Sequence, residues 1–140
     1  MEDLRSILSS HHSKTGNVNS SVKSTHDEVA ASTSEIPDLF FDEILLKFKL
    51  TRVETLCLMY LYRLTWSKPN LHRKFGIAPI ISHADLAKQL DINLDSLYQT
   101  IRKLEGFNFI ETIRSGQYFV RKYFTEENDR KYGQNYDNFL

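Results

Sequence analysis

The sequence predicts a mostly α domain with one small β-hairpin, an α+β class, and three observations carry that expectation. Between residues 37 and 105, large apolar residues recur at three- and four-residue spacing in four separate stretches. Residues 109–124 are instead rich in β-branched and aromatic residues on either side of Ser115-Gly116, the pattern of two strands around a tight turn. Residues 1–35 hold nine serines and almost no large apolar residue after Leu8, so they bury too little surface to offset their ordering entropy.

The chain therefore reads as a disordered polar N-terminal segment (1–35), one domain (36–124) and an acidic, polar C-terminal tail (125–140). Leu4, Ile7 and Leu8 would share one face of a short helix, either a fraying terminus or a docking element. In the tail, Thr125 is placed to cap a short helix, and Phe139 and Leu140 could fold back. The 140 residues carry 18 basic and 18 acidic side chains, a formal net charge of zero. That balance divides unevenly: −3 over residues 1–39, +5 over 40–124 and −2 over 125–140. A neutral total thus conceals a basic domain between two acidic ends.

Helix one is expected over about 37–48, opened by Pro37, whose missing N–H costs nothing in a first turn. Helix two follows to about Ser67, started by a Thr51/Glu54 capping box. It carries one apolar stripe of Val53, Leu56, Cys57, Tyr60, Leu61 and Leu64, and a second of Leu58, Met59, Tyr62 and Trp66. A helix apolar nearly all round is buried on both sides. It is either a central core helix, or one whose second stripe meets a partner subunit. Cys57, on the main stripe, reads as a buried structural thiol.

Residues 66–79 form a long loop broken by Pro69, Gly76 and Pro79, with Lys68, His72, Arg73 and Lys74 either solvated or contacting phosphate. Ile80-Ile81 reads as a very short strand. Ser82 caps helix three (83–90), and Asp91-Ile92-Asn93 turns the chain. Asn93 caps helix four (94–105), and Gly106 ends it. The first strand is expected over 109–114 and the second over 117–124.

Two helices joined by three residues make a helix-turn-helix pattern. The stretch ISHADLAKQLDINLDSLYQTIRKLEGFNFIETIRSGQYFV places Ser-x-x-x-Leu-Ala-x-x-Leu, a short turn, a helix ending Leu-Glu-Gly, and a glycine-containing hairpin in order. In this it resembles the winged helix-turn-helix family of DNA-binding domains, over about residues 37–124. MarR-type regulators are similar in the same region, and the Leu-Tyr-Arg stretch of helix two resembles N-terminal domains of some replication initiators.

On helix four, Leu94, Leu97, Ile101 and Leu104 define a core stripe, Gln99 lies opposite, and Asp95, Ser96, Arg102 and Lys103 flank it. Glutamine suits adenine and Arg or Lys suits guanine in a major groove. The resemblance makes this the DNA-reading helix, with Ser96, Gln99, Arg102 and Lys103 as its contacts. Asp95 either offsets the helix dipole or accepts from cytosine. By the same resemblance the wing, around 115–116, contacts backbone or minor groove through Arg114 and Gln117. Ser82, at a helix start, together with Arg73 and Lys74 in the loop, is placed for phosphate.

No glycine-rich phosphate loop, serine nucleophile elbow or HExxH motif is present. One cysteine excludes an intramolecular disulfide and a cysteine-based zinc site, and His11-His12 lacks partners for a metal. No catalytic residue, metal or cofactor is expected. No apolar run approaches the roughly 18 residues of a membrane span. The opening MEDLRSILSSHH lacks a basic start and long apolar core, so the expected compartment is the cytoplasm. The expected function is sequence-specific double-stranded DNA binding, most simply transcriptional regulation. A homodimer through Leu58, Met59, Tyr62 and Trp66 would match a palindromic site. The alternatives are an adaptor that binds protein through its tails, and a replication or plasmid-maintenance factor.

Overall fold

A computed structural model of the chain describes residues 30–136. The stripe of Leu4, Ile7 and Leu8, the His11-His12 pair and the fold-back of Phe139 and Leu140 lie outside them. The chain divides into two units, Met1–Thr33 and Ser34–Leu140, and every element described belongs to the second. Residues 30–35 are exposed and have no regular structure.

The elements run α1 (Phe40–Ile44 and Leu45–Lys47), α2 (Arg52–Tyr62 and Arg63–Ser67), α3 (His83–Leu90), α4 (Leu94–Gly106), β1 (Ile110–Arg114), β2 (Gln117–Val120) and α5 (Glu126–Lys131). Helix α1 is a π-helical turn, Phe40–Ile44, continued by α-helical Leu45–Lys47. Helix α2 spans Arg52–Tyr62 and ends in a second π-helical turn, Arg63–Ser67. Its start is the expected capping box: the Glu54 N–H donates to Thr51 Oγ1 at 3.2 Å, and the Thr51 N–H donates to Glu54 Oε1 at 3.0 Å. A 3-10 turn, Arg73–Phe75, lies in the following loop.

Helices α3 (His83–Leu90) and α4 (Leu94–Gly106) are stopped by the same device. Asp91 sits in the left-handed region at φ 54°, with Asp91 N–H on Lys88 O and Ile92 N–H on Ala87 O. Asn108 repeats this at φ 64°, with its own N–H on Glu105 O and the Phe109 N–H on Leu104 O. Both are Schellman caps with a short polar residue at the left-handed position. The expected terminator Gly106 is simply the last helical residue; the left-handed position falls two residues later.

Strands β1 (Ile110–Arg114) and β2 (Gln117–Val120) form an antiparallel hairpin about Ser115-Gly116. Ile110 pairs with Val120 and Thr112 with Tyr118, but Arg114 pairs with Gln117, so β1 carries one extra residue, Ile113, at a bulge. The segment 76–81 runs along the other edge of β2. Val120 N–H donates to Gly76 O, Ala78 N–H to Tyr118 O and Ile81 N–H to Gly116 O. The pairing expected at Ile80-Ile81 is thus centred earlier, at an isolated Ile77–Phe119 bridge, and Ile80 is exposed. Between Ala78 and Ile81 this segment has one residue more than β2 needs, and its Pro79 has no N–H to give.

The core gathers Phe40 and Ile44 from α1, Cys57, Leu58, Leu61, Tyr62 and Trp66 from α2, and the inner faces of α3, α4 and the hairpin. The buried face of α2 straddles the two expected stripes. Leu58, Tyr62 and Trp66 lie in this chain's own core, and Met59 is half-buried. Tyr62 stacks on Phe124 at 5.1 Å. Burial pushes the Cys57 thiol up to about 12, which keeps it protonated and inert.

The second strand is shorter than expected. It stops at Val120, and distant side chains hold the residues beyond it. Trp66 Nε1 donates to Val120 O at 3.1 Å and Tyr62 Oη donates to Lys122 O at 2.8 Å. At Phe124 the chain turns with φ 76°, the Thr125 N–H reaching Tyr123 O. Thr125 then caps α5, Glu126–Lys131. Residues 125–136 are therefore packed structure rather than a tail. The buried Asp129 carboxylate accepts from Arg121 Nη1 (3.2 Å), Tyr123 N–H (3.1 Å) and Tyr136 Oη (2.7 Å), and Tyr136 Oη accepts from the Lys122 N–H. Burial, then the bond to Asp129, raises the Tyr136 phenol far above its ordinary value, so it remains a donor. No helix among the described residues is long and apolar enough to cross a membrane.

Candidate nucleic-acid interface

Helix α4 owes its position to its inner face. Leu97, Ile101 and Leu104 are buried, and Thr100 joins them by donating its hydroxyl to Ser96 O at 2.7 Å. Leu94, expected in that stripe, is 42% exposed; it lies in the first turn, and Thr100 takes its place in the buried face. The outer face presents Leu94, Asp95, Tyr98, Gln99, Arg102 and Lys103 to solvent. Gln99, Arg102 and Lys103 thus stand on the open side of a rigid 13-residue helix, as the sequence led us to expect. Lys103 extends over the Phe107 ring at 5.4 Å. Ser96 is half-buried, and its backbone N–H is taken by the Asn93 cap at 2.8 Å.

The hairpin tip departs from expectation. Gln117 is 8% exposed and has both ends of its amide engaged. Its Nε2 donates to Ala78 O at 3.1 Å, and its Oε1 accepts from Arg114 Nε at 2.9 Å. It is a rung of the sheet rather than a contact: the side chain bonds the carbonyl left over where Pro79 and the extra residue interrupt the ladder. Arg114 is exposed and is oriented by this bond. Gly116 packs so closely that a Cβ would come 2.5 Å from Ile81 O, and its φ of +80° further demands glycine.

Ser82 Oγ accepts the Asp85 N–H at 3.1 Å, so its hydroxyl oxygen serves the α3 cap. Arg73 and Lys74 are exposed, but they are not beside Ser82. Gly76 bonds to Val120 at the base of the hairpin and Ile81 to Gly116 at its tip. Five extended residues separate the two ends, about 16 Å. The loop cations thus belong to the opposite end of the sheet from the tip.

The structure brings another set together. His83, Tyr98, Arg102, Thr112, Ser115 and Tyr118 line a groove of about 170 Å³ between α3, α4 and the hairpin. His83 Nε2 lies 2.7 Å from Tyr118 Oη and its ring meets Tyr98 edge-on at 5.1 Å. Thr112 Oγ1 donates to Glu105 Oε2 at 3.1 Å. Burial, followed by the nearby Cys57, Glu105 and Tyr98, pushes the Tyr118 phenol up to about 12, so it faces the imidazole as a neutral hydroxyl. Sequence spacing offers no signal for this contact, because His83 and Tyr118 are 35 residues apart. The groove unites Arg102 of α4 with Ser115 of the tip through side chains that also fix α3.

Among the described residues, no group of three or more His, Cys, Asp or Glu is placed to hold a metal ion. No family model, curated protein or solved structure matches the chain.

Proposed function

We propose that the domain is a winged helix-turn-helix module that binds double-stranded DNA sequence-specifically, most simply as a regulator of transcription. In this reading α4 enters the major groove and the hairpin tip lies on the backbone. The observation that carries it is the outer face of α4. Gln99, Arg102 and Lys103 point to solvent from a helix locked by two caps and a buried inner stripe. Glutamine provides a paired donor and acceptor and arginine paired donors for base edges, and Lys103 provides charge for phosphate. Arg102 also lines the groove shared with Ser115, so helix and tip would meet one DNA surface. Asp95 adds an acid to the same face, at the helix start where it favours the dipole.

Fluorescence polarization with labelled random duplex DNA over a salt series tests this reading. Binding should weaken as salt rises. After selection of a preferred site, Arg102→Ala should cost about 1–3 kcal/mol and relax preference at one position, whereas Lys103→Ala should weaken all sequences alike. No duplex binding at low salt, or equal binding by a Gln99→Ala/Arg102→Ala/Lys103→Ala variant, would overturn it.

A second reading, a protein-binding module, is favoured by a separate groove of about 380 Å³. Ile36, Leu56, Met59, Tyr60 and Leu90 give it mostly apolar walls. Met59 is the one residue of the expected partner stripe that is not buried in the chain's own core.

A further inference from the structure

Two surfaces outside the α4 face complement each other. The first is the loop after α2. From Thr55 to Ala84 the chain has no acidic residue, while Lys68, His72, Arg73 and Lys74 cluster in the loop. At its apex Leu71 is 95% exposed. A lone surface leucine is ordinary, but this one stands on a fixed support. Asn70 Nδ2 donates to both Thr65 O (3.1 Å) and Ile77 O (2.7 Å), and Asn70 Oδ1 accepts the His72 N–H at 3.2 Å. Gly76, at φ 73°, closes the turn. The loop is thus braced from below, with Leu71 held out in water.

The second surface is the outer side of α1. Phe40 and Ile44 face the core, leaving Phe41 53% and Leu46 69% exposed beside the exposed acids Asp38, Asp42 and Glu43, with one exposed base, Lys47, at the end of the helix. Among the described residues none of these acids, nor Lys68, Arg73 or Lys74, is in an ion pair. One surface is basic with a projecting leucine; the other is acidic with two projecting apolar side chains. The segments leading into them meet where Ser67 Oγ, immediately before the loop, donates to Glu35 O, ahead of α1, at 3.4 Å.

We propose that these surfaces are the two halves of a self-association interface: the Leu71 loop of one copy docks on α1 of a second copy. Since both halves belong to one molecule, a two-fold axis pairs each loop with the partner's helix and forms both contacts at once. Arg73 and Lys74 meet Asp42 and Glu43, while Leu71 packs against Phe41 and Leu46. The interface differs from the α2 stripe, whose Leu58, Tyr62 and Trp66 are buried within one chain. It stands whether or not the domain binds DNA.

Sedimentation velocity of the full chain over a wide concentration range tests it. The wild type should pass reversibly from monomer to dimer, and high salt should weaken the dimer by screening charge. Leu71→Ser should weaken it about tenfold, the equivalent of about 1.4 kcal/mol. Arg73→Glu/Lys74→Glu and Asp42→Lys/Glu43→Lys should each be monomeric, because each sets like charges against itself. An equimolar mixture of the two should dimerise, since both loop–helix contacts are then again between opposite charges. That rescue also rules out misfolding as the cause of the single-variant losses. A wild type that stays monomeric throughout, a dimer indifferent to all these changes, or variants that fail to pair when mixed would each overturn the proposal. So would a monomer that binds anionic lipid vesicles through Leu71, which would assign the loop to a membrane surface.

Discussion

The α3–α4 pair and the segment after β2 are both well packed, yet they are held in different ways. In the helix pair each boundary is fixed within a few residues. Ser82 and Asn93 cap the starts, and Asp91 and Asn108 complete the ends. After β2 the chain makes short turns of its own, but distant side chains also hold it. Residues 120–124 are fastened by Trp66 and Tyr62, more than fifty residues away, and by Asp129 and Tyr136 returning from beyond. Local fastening yields a rigid helix that can offer its other face to a ligand. Distant fastening gives the β2 end of the molecule a polar centre on which several elements depend.

This contrast predicts unequal sensitivity. The largest effect should come from Asp129→Ala, which removes one carboxylate from three donors and leaves the Tyr136 O–H and the Tyr123 N–H without an acceptor. Breaking a buried, hydrogen-bonded charge costs about 3 kcal/mol, measurable by urea denaturation; a loss as small as that of a helix cap would refute the hub. Next is Trp66→Phe, which retains most of the ring's packing but deprives Val120 O of its partner. About 1–2 kcal/mol should be lost, and amide exchange should quicken around 120–124 more than in α4. The smallest is Asn93→Ala, a lost cap costing about 1 kcal/mol. Its effect should be confined to the first turn of α4, as read by amide exchange.

The same contrast explains what could be read from the sequence. The two caps, the three-residue turn and the outward Gln99, Arg102 and Lys103 were legible because their signals lie within a few residues of one another. The α+β class followed from the change of apolar period after Gly106. Gln117 was misread because glutamine near a hairpin tip is usually solvated; only the third segment, 76–81, with its proline, gives it a structural bond. Arg73 and Lys74 were assigned by charge, but the register of that segment carries them to the far end of the sheet. The sequence left Leu58, Tyr62 and Trp66 open between a single core and a partner subunit, because Phe124 and the strand end that decide for the core lie beyond any local window. The C-terminal residues read as a tail because their composition is polar, and Asp129 is buried only by virtue of its three donors.

The bulge at Ile113 has a consequence for aggregation. The segment 76–81 covers one edge of β2, so β1 forms one margin of the sheet, and an unpaired strand is a template for another chain. Here that margin is five residues long, interrupted at Ile113 and flanked by Glu111 and Arg114. A short, kinked and charged edge is a poor template for continuous strand addition. Copies of this chain are therefore steered away from backbone-to-backbone stacking. Assembly through side-chain faces, unlike strand addition at this edge, is weakened by salt and by single substitutions.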